Sequence, residues 1–316
     1  MAETLTVGLI GLGRMGLGIA GRLIQGGHSV VAYDRDGNAR CAAATAAART
    51  VDRVADLAPS LPAPRVVWLM IPAGPAVDAV LFDGPDALAA SLGAGDVVID
   101  GGNSHHGDSR RRAERLASSC GAAYLDCGTS GGVEGARIGY CLMVGGPAEA
   151  YRRVEPALRS VATPGGCAYV GPSGAGHFVK MVHNAIEYGL LQVIGEGMSM
   201  LDRSPYGTSP AQAAALWTHG SVIRSWLMEL AATALSRPNH FERIAPQAGG
   251  GQTGAWAVEA AAQLGVKTPA IALSLAERGE TPANAYAARM VAALRYEFGR
   301  HAFETVREPS AQEDLA

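Results

Sequence analysis

The chain has 316 residues, of which 48% are hydrophobic and 17% are charged, and its formal net charge is −3. This length exceeds that of one ordinary core and predicts two domains. Because 26 basic side chains stand against 29 acidic ones, the sequence lacks the positive charge typical of proteins that bind nucleic acids or membrane surfaces.

The five cysteines are scattered and lack CxxC spacing, which predicts neither a disulfide framework nor a zinc site. No apolar run reaches the ~18 residues that cross a bilayer. The first residues lead into a strand pattern without the features of a signal peptide. We therefore expect a cytoplasmic protein that has no membrane partner.

The first half alternates short apolar strands with helical stretches, a pattern typical of a doubly wound α/β sheet. The predicted strands cover residues 4–10, 28–33, 65–71, 96–100 and 122–126, with 140–144 and 168–170 closing the sheet. A helical pattern without proline then runs from His177 to about Met200. Shorter helices are predicted at 210–218, 222–235, 253–264, 269–277 and 283–298.

A GxGxxG motif follows the first strand and opens a helix, and it consists of Gly11, Leu12, Gly13, Arg14, Met15 and Gly16. Its three glycines permit a tight turn, close approach of a pyrophosphate to the backbone, and close helix–strand packing. The helix N-terminus would face the anion. The motif favours a dinucleotide site over a purely structural turn, although a chain with 41 glycines offers chance matches.

We therefore predict an α/β Rossmann-type N-terminal domain at residues 1–173. An all-α C-terminal domain, begun by a long interdomain helix, follows at residues 174–302. The polar residues 303–316 are predicted to form a loose tail.

Asp34 ends the second predicted strand, where its carboxylate can accept hydrogen bonds from the adenosine ribose. A carboxylate there would repel a 2′-phosphate, which favours NAD over NADP. Arg35 partly offsets that repulsion, and a structural role for Asp34 as a turn cap before Gly37 is the alternative. The other predicted cofactor contacts follow the strands at 65–71 and 96–100, and they are Ile71, Pro72, Ala73 and Asn103.

The long helix carries a polar stripe at i, i+3, i+4, i+7 and i+8, made of Lys180, His183, Asn184, Glu187 and Tyr188. Apolar residues occupy much of the remaining circumference, which we expect to be buried. Desolvation and an oxidised nicotinamide would lower the pKa of a lysine, as a base requires. Desolvation would raise the pKa of a carboxyl and make it an acid. We infer that Lys180 assists hydride removal and that Glu187 later delivers a proton; a solvated helix face is the alternative.

Three further segments are candidates for substrate contacts. The turn at 99–104 offers the Asn103 amide, and the segment at 129–133 offers a small anion cradle formed by Ser130, Gly131 and Gly132. Arg295 and His301 provide cations for an anionic substrate end. The alternatives are plain connectors for the glycine turns and a favourable helix-dipole interaction for the cations.

The motifs together resemble those of 6-phosphogluconate dehydrogenases. They are GLGRMG at 11–16, IDGGNS at 99–104, SGGVEGAR at 130–137, GAGHFVKMVHNAIEYG at 174–189 and ALRYEFGRH at 293–301. Some of these motifs are shared with the wider β-hydroxyacid dehydrogenase superfamily, whereas KMVHNAIEYG is more specific. The length resembles the short form of the family, which is often NAD-preferring.

The resemblance implies oxidation of the C3 hydroxyl of 6-phospho-D-gluconate, loss of CO2, and protonation of an enediol at C1 to give ribulose 5-phosphate. Lys180 would act as the base and later as an acid, and Glu187 would complete the enediol step, with Asn184 also in the catalytic set. The sugar acid would be held by Asn103, Ser130, Gly131, Gly132, His183 and Asn184. The phosphate would be held by Tyr188, Arg295 and His301.

The resemblance also implies that no metal takes part. Because the family's C-terminal segment reaches into the site of a partner subunit, it implies a homodimer or homotetramer in which Arg295 and His301 act in trans.

Two departures from the family pattern concern the phosphate. The lysine expected a few residues after Arg224 and Ser225 is absent, and Arg278 matches a phosphate-binding arginine only with a one-residue shift. A related β-hydroxyacid dehydrogenase acting on a non-phosphorylated sugar acid, or an imine reductase, therefore stays open. A non-enzymatic NAD-binding regulator is a more remote alternative.

Overall fold

A computed structural model describes residues 4–84, 86–237, 240–279 and 282–305. Up to residue 171, short strands alternate with helices. The strands are β1 (Thr6–Ile10), β2 (Ser29–Tyr33), β3 (Arg49–Thr50), β4 (Val66–Leu69), β5 (Val97–Asp100), β6 (Ala123–Ser130), β7 (Tyr140–Gly145) and β8 (Ala162–Gly171). The helices are α1 (Arg14–Gln25), α2 (Gly37–Thr45), α3 (Pro75–Phe82), α4 (His106–Cys120), α5 (Gly135–Ile138) and α6 (Ala148–Val161).

The eight strands form one sheet in the order β3-β2-β1-β4-β5-β6-β7-β8. All neighbouring pairs are parallel except β6 and β7, which are antiparallel. The order of the strands in the sheet reverses between β1 and β4: β2 and β3 lie on one side of β1, and β4 and the later strands lie on the other. In sheets of this kind the ligand crevice lies at the carboxyl ends of the strands at that reversal, so the loops after β1 and β4 are the expected place for a cofactor.

The sheet is buried on both faces. Along β4, Val66 and Trp68 belong to one apolar cluster, whereas Val67 and Leu69 belong to another. This alternation follows from the two-residue period of a strand, and burial on both faces explains why the strand is continuously apolar in sequence.

The helices after residue 174 form the second part of the fold. They are α7 (Ala175–Asp202), α8 (Pro210–Trp217), α9 (Trp226–Ser236), α10 (Gln252–Gln263), α11 (Pro269–Ala276) and α12 (Ala285–Gly299). Their apolar residues, including Met198, Met228 and Met290, form a third cluster. One compact unit ends at Val182 and a second begins at His183, so both share α7. In the described ranges, no helix is both long and apolar enough to cross a membrane.

The predicted α/β and all-helical organisation is confirmed, with differences at element ends. The two-residue strand β3 was missed, since Arg49 and Thr50 form no apolar run. Strand β6 continues to Ser130, so the predicted cradle begins inside a strand rather than after it. Helix α9 begins at Trp226 rather than at 222, because the Ser225 side chain accepts the Met228 N–H and caps the helix there. The domain boundary at 173 stays a prediction.

The prediction that the apolar residues beside the polar stripe of α7 are buried is correct for Met181, which is 4% exposed, and Phe178 is half-buried. For the other five residues the prediction is wrong in a single chain. These residues are between 38% and 59% exposed, and they are Val179, Val182, Ile186, Leu190 and Val193. Their spacing of three or four residues places them along one face of the helix. We call this face the apolar stripe of α7.

Candidate active site

The glycine loop between β1 and α1 is shaped by close backbone approaches. Gly11 has a φ of +96°, and a Cβ built on it would lie 2.4 Å from the Met70 carbonyl oxygen. A Cβ on Gly16 would lie 2.0 Å from the Gly11 carbonyl oxygen, so the third glycine permits helix–strand packing. A Cβ on Gly13 would meet nothing within 4 Å. The loop therefore leaves room at the second glycine, where a pyrophosphate is expected.

Helix α1 begins directly behind this loop. No side chain of the described residues caps its N-terminus, and its first turn contains no acidic residue. Its buried residues are spaced at i, i+3, i+4 and i+7, and they are Gly16, Ile19, Ala20 and Leu23. That apolar face holds the helix against the sheet while its positive end points towards the loop. The residues present therefore fit the phosphates of a dinucleotide.

At the end of β2, the Asp34 carboxylate is held by two backbone hydrogen bonds. One carboxylate oxygen accepts the Leu12 N–H at 2.6 Å and the other accepts the Asp36 N–H at 2.8 Å. The cap of α2 is Asp36, which accepts the Asn38 N–H, and not Asp34. Arg40, which the sequence analysis missed, donates to the Asp34 carbonyl oxygen. Asp34 is thus a fixed acceptor directly beside the glycine loop.

The loops that follow β4 and β5 touch each other. The Gly101 N–H donates to the Leu69 carbonyl oxygen and continues the parallel ladder beyond both strands. A Cβ built on Gly102 would lie 3.0 Å from the Ile71 carbonyl oxygen, which explains the glycine. The predicted cofactor residues 71–73 and the exposed Asn103 therefore lie in adjacent loops.

The first turns of α7 are pressed into the sheet beside β6. The buried Asp126 carboxylate accepts the Gly174 and His177 N–H groups at 2.7 and 2.9 Å, and so satisfies donors at the helix N-terminus. A Cβ on Gly128 would lie 2.4 Å from the Lys180 Cβ. The Cβ and Cγ of Lys180 therefore lie directly against Gly128 of β6, and Lys180 is 9% exposed.

The predicted sugar-acid cradle continues from the same strand. Ser130 ends β6. The chain then turns through Gly131 and Gly132, whose φ angles of +130° and +55° favour glycine. Because Gly128 and Ser130 are two residues apart, they face the same side of β6. Lys180 and the start of the cradle therefore share that side.

The polar stripe of α7 continues into the second unit without a break. The His183 ring and the Asn184 amide lie within hydrogen-bond distance, at 3.0 Å. The Tyr188 hydroxyl lies 2.9 Å from the Thr253 hydroxyl, and Tyr188 is buried. Glu187, seven residues after Lys180, lies about 10 Å further along the helix axis. The helix spacing predicted for these residues is present.

Arg278 is packed against Tyr188 and is 8% exposed. Its guanidinium carbon lies 3.5 Å from the centre of the Tyr188 ring, and Nη1 donates to the Gly249 carbonyl oxygen at 3.5 Å. Its Nη2 atom is buried and has no hydrogen-bond partner within the described ranges of the chain. The pKa of Arg278 is lowered to about 10, mainly by burial. The charge of Arg295 lowers this pKa further, whereas Tyr188 and Glu187 raise it.

Arg295 belongs to the same cluster. It donates to the Ala248 carbonyl oxygen, and burial lowers its pKa. A Cβ on Gly250 would lie 2.9 Å from a terminal nitrogen of Arg295. This single chain therefore brings Arg295 close to Arg278 without a partner subunit. His301 lies edge-on to the Phe298 ring at 5.8 Å.

Three consecutive glycines, missed in the sequence analysis, form the turn beside these arginines. Gly249, Gly250 and Gly251 have φ angles of +60°, +71° and +135°, and Gly251 precedes α10 without a side-chain cap. Successive backbone bends of this kind and helix N-termini both attract anions. The cluster of Tyr188, Thr253, Arg278, Arg295 and this turn is called the arginine cluster below.

Comparisons with known proteins identify the family of this chain. The family described as the NAD binding domain of 6-phosphogluconate dehydrogenase matches residues 6–171, and the family of its C-terminal domain matches residues 176–284. The chain belongs to the 6-phosphogluconate dehydrogenase family. It is an NAD(P)-dependent oxidoreductase, so the non-enzymatic regulator is set aside.

Individual relatives differ in length. A Haloferax volcanii protein named as an NAD(+)-dependent, decarboxylating 6-phosphogluconate dehydrogenase is 47% identical, covering 93% of this chain and 97% of that protein. A decarboxylating 6-phosphogluconate dehydrogenase of Synechococcus elongatus is 38% identical, covering 84% of this chain but 59% of that protein. This family member thus matches the short relative almost end to end.

Solved structures show the same fold. A Plasmodium falciparum 6-phosphogluconate dehydrogenase, described with NADP+ and with 6-phosphogluconate, superposes with a TM-score of 0.78 at 31% identity, covering 86% of this chain and 61% of that one. A 3-hydroxyisobutyrate dehydrogenase from Salmonella typhimurium has a TM-score of 0.72 at 21% identity, covering 91% and 99%. The second likeness concerns the fold alone.

Proposed function

We propose that this protein oxidises 6-phospho-D-gluconate with NAD and decarboxylates it to ribulose 5-phosphate and CO2. The observation that carries the proposal is the buried Arg278, whose Nη2 atom has no hydrogen-bond partner among the residues that the structure describes. An unsatisfied buried charged donor costs free energy that a bound anion would recover. The substrate phosphate is such an anion.

The arginine cluster supports a phosphate rather than a single carboxylate. Arg278 and Arg295 are two cations near one turn, and Thr253 and Tyr188 add hydroxyls. A phosphate monoester carries between one and two negative charges at neutral pH and accepts several hydrogen bonds. The contact of Arg278 with Tyr188 supports its role as the expected phosphate arginine, despite the one-residue shift in the sequence.

Lys180 and Glu187 carry the proton transfers in this proposal. NAD held by the glycine loop and Asp34 would supply the acceptor for the hydride that leaves C3 of the substrate. Lys180 takes the proton of the C3 hydroxyl as the hydride leaves, so C3 becomes a ketone. After CO2 leaves, the protonated Lys180 returns the proton to the C3 oxygen and an enediol results. Glu187 then protonates the carbon that was C2 of the substrate, and this carbon becomes C1 of ribulose 5-phosphate.

The remaining predicted residues hold the sugar acid, and they are Asn103, Ser130, Gly131, Gly132, His183 and Asn184. Asn103 also lies in the loop beside residues 71–73, where it serves the cofactor. Burial of Lys180 against β6 supports its role, because desolvation disfavours the charged amine and favours a base. No step requires a metal.

Asp34 supports the choice of NAD. Its carboxylate is held by two backbone N–H groups beside the glycine loop, and a fixed negative charge there would repel a 2′-phosphate. Arg35 is exposed, so solvent screens its offsetting charge.

We further propose a cytoplasmic homodimer or homotetramer. The apolar stripe of α7 supports assembly, because five neighbouring apolar side chains on one helix face favour burial against another surface. His301 would then contribute to a partner's site, and Arg295 would serve either its own chain or the partner. Sedimentation velocity would test the assembly.

The decisive experiment compares 6-phosphogluconate with gluconate as substrates in the presence of NAD, recording NADH and CO2. We expect turnover with 6-phosphogluconate, and its KM should rise about 10- to 100-fold in Arg278→Met, since a charged hydrogen bond contributes about 1.5–3 kcal/mol. The exposed Arg243→Met serves as the matched control. Absence of turnover with 6-phosphogluconate would refute the proposal.

The second candidate is a dehydrogenase of a non-phosphorylated sugar acid. The missing lysine after Arg224 and Ser225 favours it, because the segment that follows is Trp226–Leu230. Ser225 serves as a helix cap there. A higher kcat/KM for gluconate than for 6-phosphogluconate would select this candidate.

A further inference from the structure

Arg112 on α4 is completely buried and spans the space between two loops. Its Nε and Nη2 atoms each donate to one Asp78 carboxylate oxygen at 2.9 Å, and Nη2 also donates to the Gly74 carbonyl oxygen at 2.8 Å. Nη1 donates to the Ser104 hydroxyl at 3.3 Å. One guanidinium therefore binds the segment after β4 and the segment after β5.

The second segment is itself tied together by Asp100. This fully buried carboxylate accepts hydrogen bonds from the Ser104 hydroxyl at 2.7 Å, the Tyr124 hydroxyl at 2.6 Å and the Gly102 N–H at 3.0 Å. Nη1 of Arg112 lies 3.8 Å from it. Movement of Arg112 would therefore disturb the whole turn from 100 to 104.

The two segments have little room to shift. A Cβ on Gly101 would lie 2.5 Å from the Met70 sulfur, and one on Gly102 would lie 3.0 Å from the Ile71 carbonyl oxygen. The two segments are thus in close contact at Gly101 and Gly102, and the guanidinium of Arg112 also joins them through Gly74, Asp78 and Ser104. Such a double constraint defines the distance between the two loops.

The charge and the geometry of the network together require a guanidinium. Two carboxylates, those of Asp78 and Asp100, share Arg112, and the hydrogen bonds of Arg112 lower the pKa of Asp78. Burial and the Asp100 charge raise the pKa of Tyr124, which stays a neutral donor. A lysine carries the same charge but lacks the planar fork that reaches several acceptors at fixed angles.

We propose that Arg112 is a positioning residue that sets the spacing between loop 71–74 and loop 100–104. These loops carry the predicted cofactor contacts Ile71, Pro72 and Ala73 and the substrate residue Asn103, so the proposal rests on the proposed function. Nothing in the reaction requires Arg112 to touch a ligand. Its role is to keep the loop that contacts the cofactor at a fixed distance from the loop that contacts the sugar acid.

The test uses Arg112→Lys with Arg115→Lys as the matched control, because Arg115 is an exposed arginine on the same helix, paired with Asp83 at 3.8 Å. Three properties are measured well below the melting temperature: the NADH dissociation constant by fluorescence titration, hydrogen exchange of peptides covering 71–78 and 100–105, and kcat with 6-phosphogluconate. A misplacement of about 1 Å at a reacting centre costs about 100-fold in rate.

In Arg112→Lys we expect about tenfold weaker NADH binding, faster exchange in both loops, and kcat reduced about 10- to 100-fold. Arg115→Lys should match the wild type in all three. If Arg112→Lys does not fold, Asp78→Asn replaces it, since this change removes the carboxylate that Arg112 grips while α4 is unaltered; the same three effects are expected.

The proposal is overturned if the folded variant has a lower melting temperature but keeps wild-type NADH affinity and wild-type exchange in both loops. That result would mean that Arg112 contributes stability alone. NADH binding and exchange do not require turnover. If the wild type fails to oxidise 6-phosphogluconate while these two readouts change as expected, the proposed substrate is wrong and the positioning role stands.

Discussion

The guanidinium carbon of Arg278 lies 3.5 Å from the centre of the Tyr188 ring. This contact joins the polar stripe of α7 to the segment that follows α11 (Pro269–Ala276). Because Arg278 is buried and one of its nitrogens has no hydrogen-bond partner in the described part of the chain, the stacked pair is a preformed place for an anion.

Inorganic phosphate should stabilise the protein through the arginine cluster, and the effect should fade with rising pH. The pKa of Arg278 is lowered to about 10, so the side chain is charged below that pH and becomes neutral above it. Ligand binding to the folded state raises the melting temperature. We expect a phosphate-dependent increase at about pH 8 that is largely lost at about pH 11, beyond the Arg278 pKa, as measured by differential scanning fluorimetry.

The same titration with Arg278→Met should show no phosphate-dependent shift at either pH. A shift of wild-type size in that variant would mean that phosphate binds elsewhere.

Asp34→Asn should relax the preference for NAD over NADP. Asparagine keeps one acceptor for the Leu12 or the Asp36 N–H, so the loop is retained while the charge is removed. We expect the ratio of kcat/KM with NADP to kcat/KM with NAD to rise at least about tenfold, which corresponds to about 1.4 kcal/mol. An unchanged ratio would show that Asp34 does not read the ribose.

Glu187→Gln should abolish overall turnover while the fold is retained. General acid catalysis typically contributes about 10²- to 10⁴-fold, and glutamine cannot donate the C1 proton. The measurement is the rate of ribulose 5-phosphate formation. Glu196→Gln, at an exposed position of the same helix, is the control and should behave like the wild type. An active Glu187→Gln enzyme would favour the related β-hydroxyacid dehydrogenases.

Gly128→Ala should destabilise the protein and reduce activity together. The added Cβ would lie 2.4 Å from the Lys180 Cβ, so α7 must shift away from β6. Overpacking of this kind costs about 1–3 kcal/mol, measurable by urea denaturation. Gly21→Ala in α1 has an open Cβ direction and should instead stabilise by about 0.5–1 kcal/mol. Wild-type stability of Gly128→Ala would contradict the packing argument.

Local patterns predicted much of this molecule. The GxGxxG motif, the acidic residue at the end of the second strand and the helix carrying Lys180 to Tyr188 are features of short sequence range. Each depends on backbone periodicity and on the special conformations of glycine, which are encoded within a few neighbouring residues. The motifs that resemble one family are also local, and the resemblance was confirmed by the family matches.

Contacts between distant segments were not predictable in this way. Arg278 looked misplaced by one residue in the sequence, yet packing brings it against Tyr188, 90 positions earlier. The turn of Gly249 to Gly251 and the network of Arg112 were missed, because an arginine between two loops looks like any surface cation until its burial is known. The apolar stripe of α7 looked like core in the sequence, because its exposure also becomes known only from the tertiary structure.

Sequence alone therefore determined the class of fold, the family and the order of reactive groups along α7, since these follow from local periodicity and short motifs. Only the tertiary structure decided which cations are desolvated beside Tyr188, how Asp34 is anchored to the glycine loop, and which loops share Arg112. Those features depend on burial and on distances between segments far apart in the chain, and neither quantity is written in neighbouring residues.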